Sequence, residues 1–412
     1  MSPPKGAADA SQGSRVIVLD NGGGNCKLGF AGEKEPRAVF PNCVARSSAD
    51  KKAYVGDAVN SCKDLASLAL KRPIDRGYVV NWDMEQEVWA HAFDHVCGVD
   101  TKECSLVVTE PLMNFPALRE TMDQVVFEDF GFQSYYCCPA PTLSLHHLRT
   151  LRGQTAAKDA GCALVVDAGF SFTHAAPIFD KRIVQAGVAR VNVGSRAVTN
   201  YLKELVSYRS VNMMEEVYLV EHIKDRVCFY SQNVAADLKA SQAVRRSPHA
   251  LSYVLPDGLL NTYGHVVSED HKFGGPPPAD GEAVLTLNNE RFMAPELLFS
   301  PSDIGIEQGG VAEAVLQAVE RCPPALHGLL WGSVVLTGGM ACLPGFKERV
   351  EAELRPLVPQ EFELKLTLPE SPHTFAWRGG SLLGASGEFA GLAVTKQEYE
   401  ERGTTPMREF VW

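Results

Sequence analysis

The sequence predicts an α/β fold of two related halves closed around a cleft. Three observations carry that prediction. The stretch Val16 to Gly32, VIVLDNGGGNCKLGFAG, is an apolar run that stops at Asp20 and Asn21, turns through Gly22, Gly23 and Gly24, and resumes a strand pattern at Cys26. The pattern recurs at Ala163 to Phe179, ALVVDAGFSFTHAAPIF, with Asp167 and Gly169 at the break. A third apolar run, Ser333 to Thr337, ends in Gly338, Gly339 and Met340. One such unit is a weak sign, because a hairpin without a ligand reads the same way. Three of them, far apart in the chain, suit a cleft whose walls hold phosphates from both sides.

The first turn is nearly all backbone. Glycine lets a ligand approach the main chain, and exposed N–H groups in such a turn cradle an anion. Lys27 adds positive charge just past the turn, and Asp20 at the strand end can face a hydrated metal ion. No turn matches the Rossmann or Walker fingerprint.

Further along, Ala38 to Asn42 reads as a short strand closed by proline, and Arg46 to Ala53 as a polar loop. Tyr54 to Asp57 leads into a helix expected from about Ala58. Asp83 is the expected N-cap of a helix that turns Met84, Val88, Trp89, Ala92 and Phe93 inward. Ser105 to Thr109 is a buried strand ended by Glu110 and Pro111. Leu118 to Phe130 is helical, with Met122, Val125, Val126 and Phe130 inward. Cys137 to Pro141 is extended, Leu143 to Leu151 helical, and the second hairpin starts near Gly161. Val198 to Tyr208 and Met214 to Ser231 read as helices. From Asn233 to Ala283 the chain turns irregular and polar, as an insertion or exposed loop would. Val311 to Val319 is helical and Pro323 and Pro324 follow it. A helix from Gly345 to Leu354, a strand near Phe362 to Leu368, Gly379 and Gly380, and a last helical stretch complete the alternation.

At 412 residues the chain exceeds one typical core. Its composition is ordinary for a globular protein, 45% hydrophobic and 22% charged. A net charge of −11 argues against a broad nucleic-acid face and suits partners with basic surfaces. No apolar run reaches membrane-spanning length. The N-terminal MSPPKGAADASQGS lacks an apolar core, so it reads as a disordered tail rather than a secretory signal. Eleven cysteines without a CxxC pair read as free thiols in a reducing compartment.

Other chemistry is thin. His91 and His95 stand one helical turn apart near Cys97, a spacing that binds zinc, but no second ligand pair accompanies them. No GxSxG elbow marks a nucleophile. His146 and His147 read as helix positions. Phe170 and Phe172 flank the second glycine turn; an aromatic there either fills the hairpin core or displaces water where a carboxylate would otherwise stand.

At this point the residues resemble the actin family. DNGGGNCKLGFAGEKEPRAVFPN is similar to the family's first phosphate loop nearly throughout. Tyr54 to Asp57, Pro73 and Ile74 with Asn81 to Asp83, Thr109 to Leu112, Asn289 to Phe292, Val335 to Gly339, Trp377 to Gly380 and Lys396 to Tyr399 also match. The resemblance runs from about residue 15 to 412 and implies the actin-like fold, four subdomains in two α/β halves around a nucleotide cleft. Residues 1–14 are then the tail. Residues 15–147 with 375–412 form the first half, whose small subdomain is about 42–73. Residues 148–374 form the second half, with an outer subdomain at about 194–307 that carries the insertion at about 233–283.

The resemblance implies nucleotide contacts at Asn21, Gly22, Gly23, Gly24, Asn25 and Lys27, at Asp167 and Gly169, at Lys224 and Asp225, and at Gly338, Gly339 and Met340. It places a metal ion with its water near Asp20 and Asp167, and sets His174 close to the phosphates. Two departures bear on catalysis. The glutamine that positions attacking water in actin falls at Ala140, and a second metal-facing aspartate falls at Phe170. Hydrolysis needs an oriented water and charge stabilisation; alanine and phenylalanine supply neither. His373 stands for a lysine near the adenine. The expected ligand is ATP or ADP with magnesium, held for structure rather than hydrolysed, or else the cleft stands without nucleotide.

The loop that actin inserts into its neighbour, between Arg46 and Tyr54, is short here. Asp303, in Pro301 to Gly305, stands where the actin plug is apolar, and burying it unpaired would be costly. No self-filament is therefore expected, and pelleting of the protein in polymerising salt would overturn this.

Within the family, NVGSRAVTNYLKELVSYR, VCFYSQN, YVLPDG with the insertion after it, and PELLFSPSDIGI resemble a nuclear class of actin-related proteins. That resemblance implies a subunit of the SWR-type chromatin-remodelling complex, which exchanges histone 2A for its variant. The implied partners are the separate motor subunit, a small HIT-type zinc-finger subunit, and the nucleosome or its histones through the complex. The insertion is either a partner surface or a tolerated loop. Two enzyme readings compete. A sugar kinase conflicts with a resemblance that runs through the whole chain. A chaperone needs a peptide-binding domain after the C-terminal helix, and none is expected. A cytoskeletal role conflicts with Asp303 and the short loop.

Overall fold

The computed structural model describes residues 15–48, 51–153, 161–242, 247–257, 261–268 and 271–403. The N-terminal tail lies outside them. Two sheets repeat one plan. In the first, Arg15–Asn21 pairs antiparallel with Asn25–Phe30 and parallel with Cys104–Glu110. Ala38–Pro41 extends one edge, and Ser134–Pro139 with Val394–Thr395 the other. In the second, Ala163–Ala168 pairs antiparallel with Thr173–Phe179 and parallel with Val334–Thr337. Both central strands thus deliver an aspartate and a glycine turn at the carboxyl end of parallel pairing, where α/β sheets place ligands.

The central strands read as apolar runs because both faces are covered. Every residue of Cys104–Glu110 is buried. One core gathers Ile17, Leu19, Leu106, Val108 and Trp89; the other gathers Leu164, Val166, Leu202, Val315 and Leu336. The helix Ala140–Leu151 leaves the first sheet and Phe375–Gly384 returns to it, and the two pack on each other. Gly379 permits that contact: a Cβ there would lie 1.9 Å from the Leu143 carbonyl oxygen. The returning helix also ties down the first hairpin, since Trp377 Nε1 donates to the Val18 carbonyl at 3.0 Å.

Several elements differ from the sequence reading. Residues Gly56–Ser61 form a 3-10 stretch, not a helix from Ala58. Asn81, not Asp83, caps Trp82–Ala92, accepting from the Met84 N–H. Glu85 is buried on that helix's inner face while Met84 is half-buried. Pro116–Gln124 ends in a π turn, Val125–Asp129, whose wider pitch turns Phe127 inward and leaves Phe130 half-buried. The helix expected from Met214 to Ser231 spans Val217–Val227. Pro324 opens a helix, Pro324–Trp331, because the first helical position needs no N–H donor. The strand near Phe362 shrinks to Leu366–Thr367.

The largest correction concerns Asn233 to Ala283. Its described residues are folded: a helix, Val234–Ser241, precedes three strands, Leu251–Val254, His265–Val267 and Gly274–Gly275, which join Val284–Leu287 in one sheet. Tyr253, Val254 and Val266 are fully buried. Short strands among polar turn residues masked the pattern, because only a few side chains per strand face inward. Ten of the eleven cysteines are buried, and Cys342 is exposed. No described helix is long and apolar enough to cross a membrane.

Candidate functional site

A cavity of about 430 Å³ opens between the two sheets, at the ends of their central strands. The three glycine turns meet there. Asp20, Asn21, Gly22, Gly23, Gly24, Asn25 and Lys27 line it from the first half; Asp167, Gly169, Lys224, Asp225, Gly338 and Gly339 line it from the second. Met340 does not line it. Its side chain is buried in the second core, and its carbonyl accepts from the Tyr230 hydroxyl at 3.2 Å. The short turn after Gly339 carries that side chain away from the cleft.

The charged groups are interlocked. Lys27 Nζ lies 2.8 Å from Asp20 Oδ2, and Thr109 Oγ1 donates to Asp20 Oδ1 at 2.8 Å. Burial works against the Lys27 charge, but Asp20 and Asp167 outweigh it and hold the ammonium above its usual range. Burial, then the Asp20 charge, push Asp167 up to about 6, with Lys27 opposing. A carboxyl so placed gains from a divalent cation, which would restore its charged form. Asp20 and Asp167 therefore fit a metal ion held largely through water, beside an anion on the glycine backbone. His174 also lines the cavity, and burial with Arg190 behind it pulls the imidazole down to about 4, so it is neutral at physiological pH.

Lys224 is almost wholly buried. It donates to Ser195 Oγ and, at 3.3 Å, to Thr199 Oγ1, with Asp225 Oδ1 at 3.2 Å. His373 lines the far end, with Cys342 Sγ 3.5 Å from its Nδ1. Thr109 and Ser195 were missed as site residues in the sequence; the Thr-Glu-Pro-Leu match drew attention to the first without giving it a role.

Ala140 lines the cavity and brings no polar side chain to it. Phe170 packs on the first turn: a Cβ at Gly24 would lie 2.7 Å from its ring, so only glycine fits there. Arg72 was also missed. Its guanidinium sits over the Phe170 ring, 4.5 Å from the centroid. Its Nη1 donates to the Gly24 carbonyl at 2.6 Å and its Nη2 to Glu221 Oε2 at 2.9 Å. One side chain thereby joins the first turn, the second turn and a helix of the opposite wall. Tyr218, from that helix, is buried among Cys43, Val59, Cys62 and Leu65 across the cleft, and its hydroxyl donates to Asn60 Oδ1 at 2.9 Å.

The paired histidines are not a metal site. His91 Nε2 meets Asp57 Oδ1 at 2.6 Å, and no group of three ligating side chains exists among the described residues.

A family model described as Actin matches residues 11–409. Actin-related protein 6 of Oryza sativa subsp. indica is 41% identical over 423 residues, covering 96% of this chain and 98% of that protein. Actin-related protein 6 of Arabidopsis thaliana is 40% identical, covering 96% and 99%. The Drosophila melanogaster protein of that name is 36% identical, covering 94% and 97%.

Proposed function

The chain belongs to the actin family, within its actin-related protein 6 group, and from that premise we propose that it is a non-catalytic, nucleotide-holding subunit of a nuclear SWR-type chromatin-remodelling complex. It supports the exchange of histone 2A for its variant, while a separate motor subunit hydrolyses ATP. Its contacts are that motor, a small HIT-type zinc-finger subunit, and the nucleosome through the assembly. The observation that carries the non-catalytic reading is the cleft lining. Ala140 and Phe170 stand where the family places a water-orienting amide and a metal-facing carboxylate.

ATP or ADP with magnesium fits the cleft as a structural ligand. The glycine turns and Lys27 would take the phosphates, Asp20 and Asp167 the ion's water shell, and Lys224 and Asp225 the nucleoside. When bound, the ion neutralises phosphate charge; the residues themselves only hold and orient. A ligand bound solely by the folded state adds stability without chemistry. Asp303 lies exposed in the turn Pro301–Ile304, which agrees with a chain that does not polymerise.

The test is a tagged pull-down from nuclear extract at moderate salt, read by mass spectrometry. Recovery of a remodelling motor together with a small zinc-finger protein is expected. Recovery of cytoskeletal proteins instead would overturn the assignment and leave the family standing.

A further inference from the structure

The tip of the second glycine turn reaches across the cleft and touches the first half. A Cβ at Gly24 would lie 2.7 Å from the Phe170 ring. One at Gly23 would lie 3.2 Å from Ser171 Oγ and 3.5 Å from the same ring. The Phe172 ring stands 3.5 Å from the Cβ position of Gly77. The two turns are therefore in van der Waals contact. Gly23, Gly24, Gly77, Phe170, Ser171 and Phe172 form one end of the cavity, and Asp20, Lys27, Asp167, Lys224 and Asp225 line the rest.

Both turns are held where they meet. In the second, the Gly169 and Phe170 carbonyls accept from the Ser195 and Arg196 N–H groups, each at 3.0 Å. Gly169 N–H donates to the Phe172 carbonyl at 3.0 Å. In the first, the Asn42 N–H donates to the Gly24 carbonyl at 2.9 Å, and its Nδ2 reaches the Gly22 carbonyl at 3.3 Å. Asn21 Nδ2 donates to the buried Glu85 Oε1 at 2.5 Å. Arg72 lies over the Phe170 ring, 4.5 Å from its centroid, with its charge answered by Glu221 at 2.9 Å. The ring is thus fixed on the first turn from several sides.

We propose that Phe170 determines the specificity of the cleft: its ring closes the space between the two turns, so that the site takes a nucleoside diphosphate in preference to a triphosphate. The inference rests on the cleft being a nucleotide site. With the nucleoside at Lys224 and Asp225, the phosphates run toward the turns. The last phosphate of a triphosphate is the one that must enter between them. There it would exchange water for an apolar ring whose face carries the negative end of its quadrupole. A diphosphate stops earlier, at Lys27 and the N–H groups of the first turn, where the cavity is open.

The experiment sets ADP against the β,γ-imido analogue of ATP, at equal concentration with magnesium, on the full chain. The analogue is not cleaved at that bond, so turnover cannot supply ADP. Bound nucleotide is recovered and measured by chromatography, after equilibrium has been reached from either ligand. The native chain is expected to retain ADP over the analogue by at least about tenfold, the worth of one charge-assisted hydrogen bond. Phe170→Ala should bring the two near parity, and Phe170→Leu, a smaller apolar filling, should lie between. Equal retention by the native chain overturns the proposal and leaves the nucleotide reading standing. An undiminished preference in the variants that fold overturns the role of the ring. Recovery of neither nucleotide overturns the nucleotide reading, and this inference with it.

Discussion

Arg72→Ala is expected to unlatch the two walls of the cleft and to destabilise the fold by about 2–4 kcal/mol. The guanidinium is a small surface in sequence terms, one charge between Lys71 and Pro73. In the fold its side chain is 13% exposed and that of Glu221 15% exposed. Removing it leaves Glu221 short of its cation and the Gly24 carbonyl with the Asn42 N–H as its remaining donor, and strips the cation from the Phe170 face. The exposed pair Arg196 and Asp75, at 2.6 Å, cannot compensate, because such pairs contribute about 0–1 kcal/mol. Urea denaturation gives the stability, and hydrogen exchange over residues 42–80 gives the unlatching. Arg72→Lys should fall between native and alanine, since a point charge does not reproduce the planar fork. If alanine leaves both the denaturation midpoint and the exchange unchanged, the latch is not a load path between the walls.

The second large effect is on hydrolysis. Steady-state ATP turnover is expected to lie at least about a hundredfold below that of conventional actin, the usual worth of a positioned proton-transfer or water-orienting group. The structure adds a sharper expectation. The double reversion Ala140→Gln with Phe170→Asp should still fall well short of conventional turnover. The Arg72 guanidinium already stands over position 170, so a carboxylate introduced there would pair with it rather than face the metal. Conventional turnover in the native chain would overturn the non-catalytic reading. Conventional turnover in the double reversion alone would show that those two side chains withheld activity and that Arg72 does not intervene.

Much of the fold was legible along the chain. Apolar runs broken by glycine, with an aspartate before the glycines in the first two, mark the three turns, because a strand covered on both faces must be apolar and glycine lets the chain turn tightly. Asp20, Lys27, Asp167 and Gly338 were readable for that reason. The folded segment from Asn233 to Ala283 was not, because its strands are short and their inward residues few. Glu85 was not either: helical period puts it on the face of Val88 and Trp89, three and four residues on, but a glutamate reads by its type as solvent surface.

Residue order by itself determined the α/β alternation, the three glycine turns, the family, and the alanine at position 140. Only the tertiary structure decided what crosses the cleft and what braces the turn from below. Arg72 meets Glu221 across 149 residues and Asn21 meets Glu85 across 64. The physical reason is that backbone pattern is a local consequence of side-chain type and spacing. The partner of a buried charge is set by which distant surfaces close upon it, and no spacing along the chain records that closure.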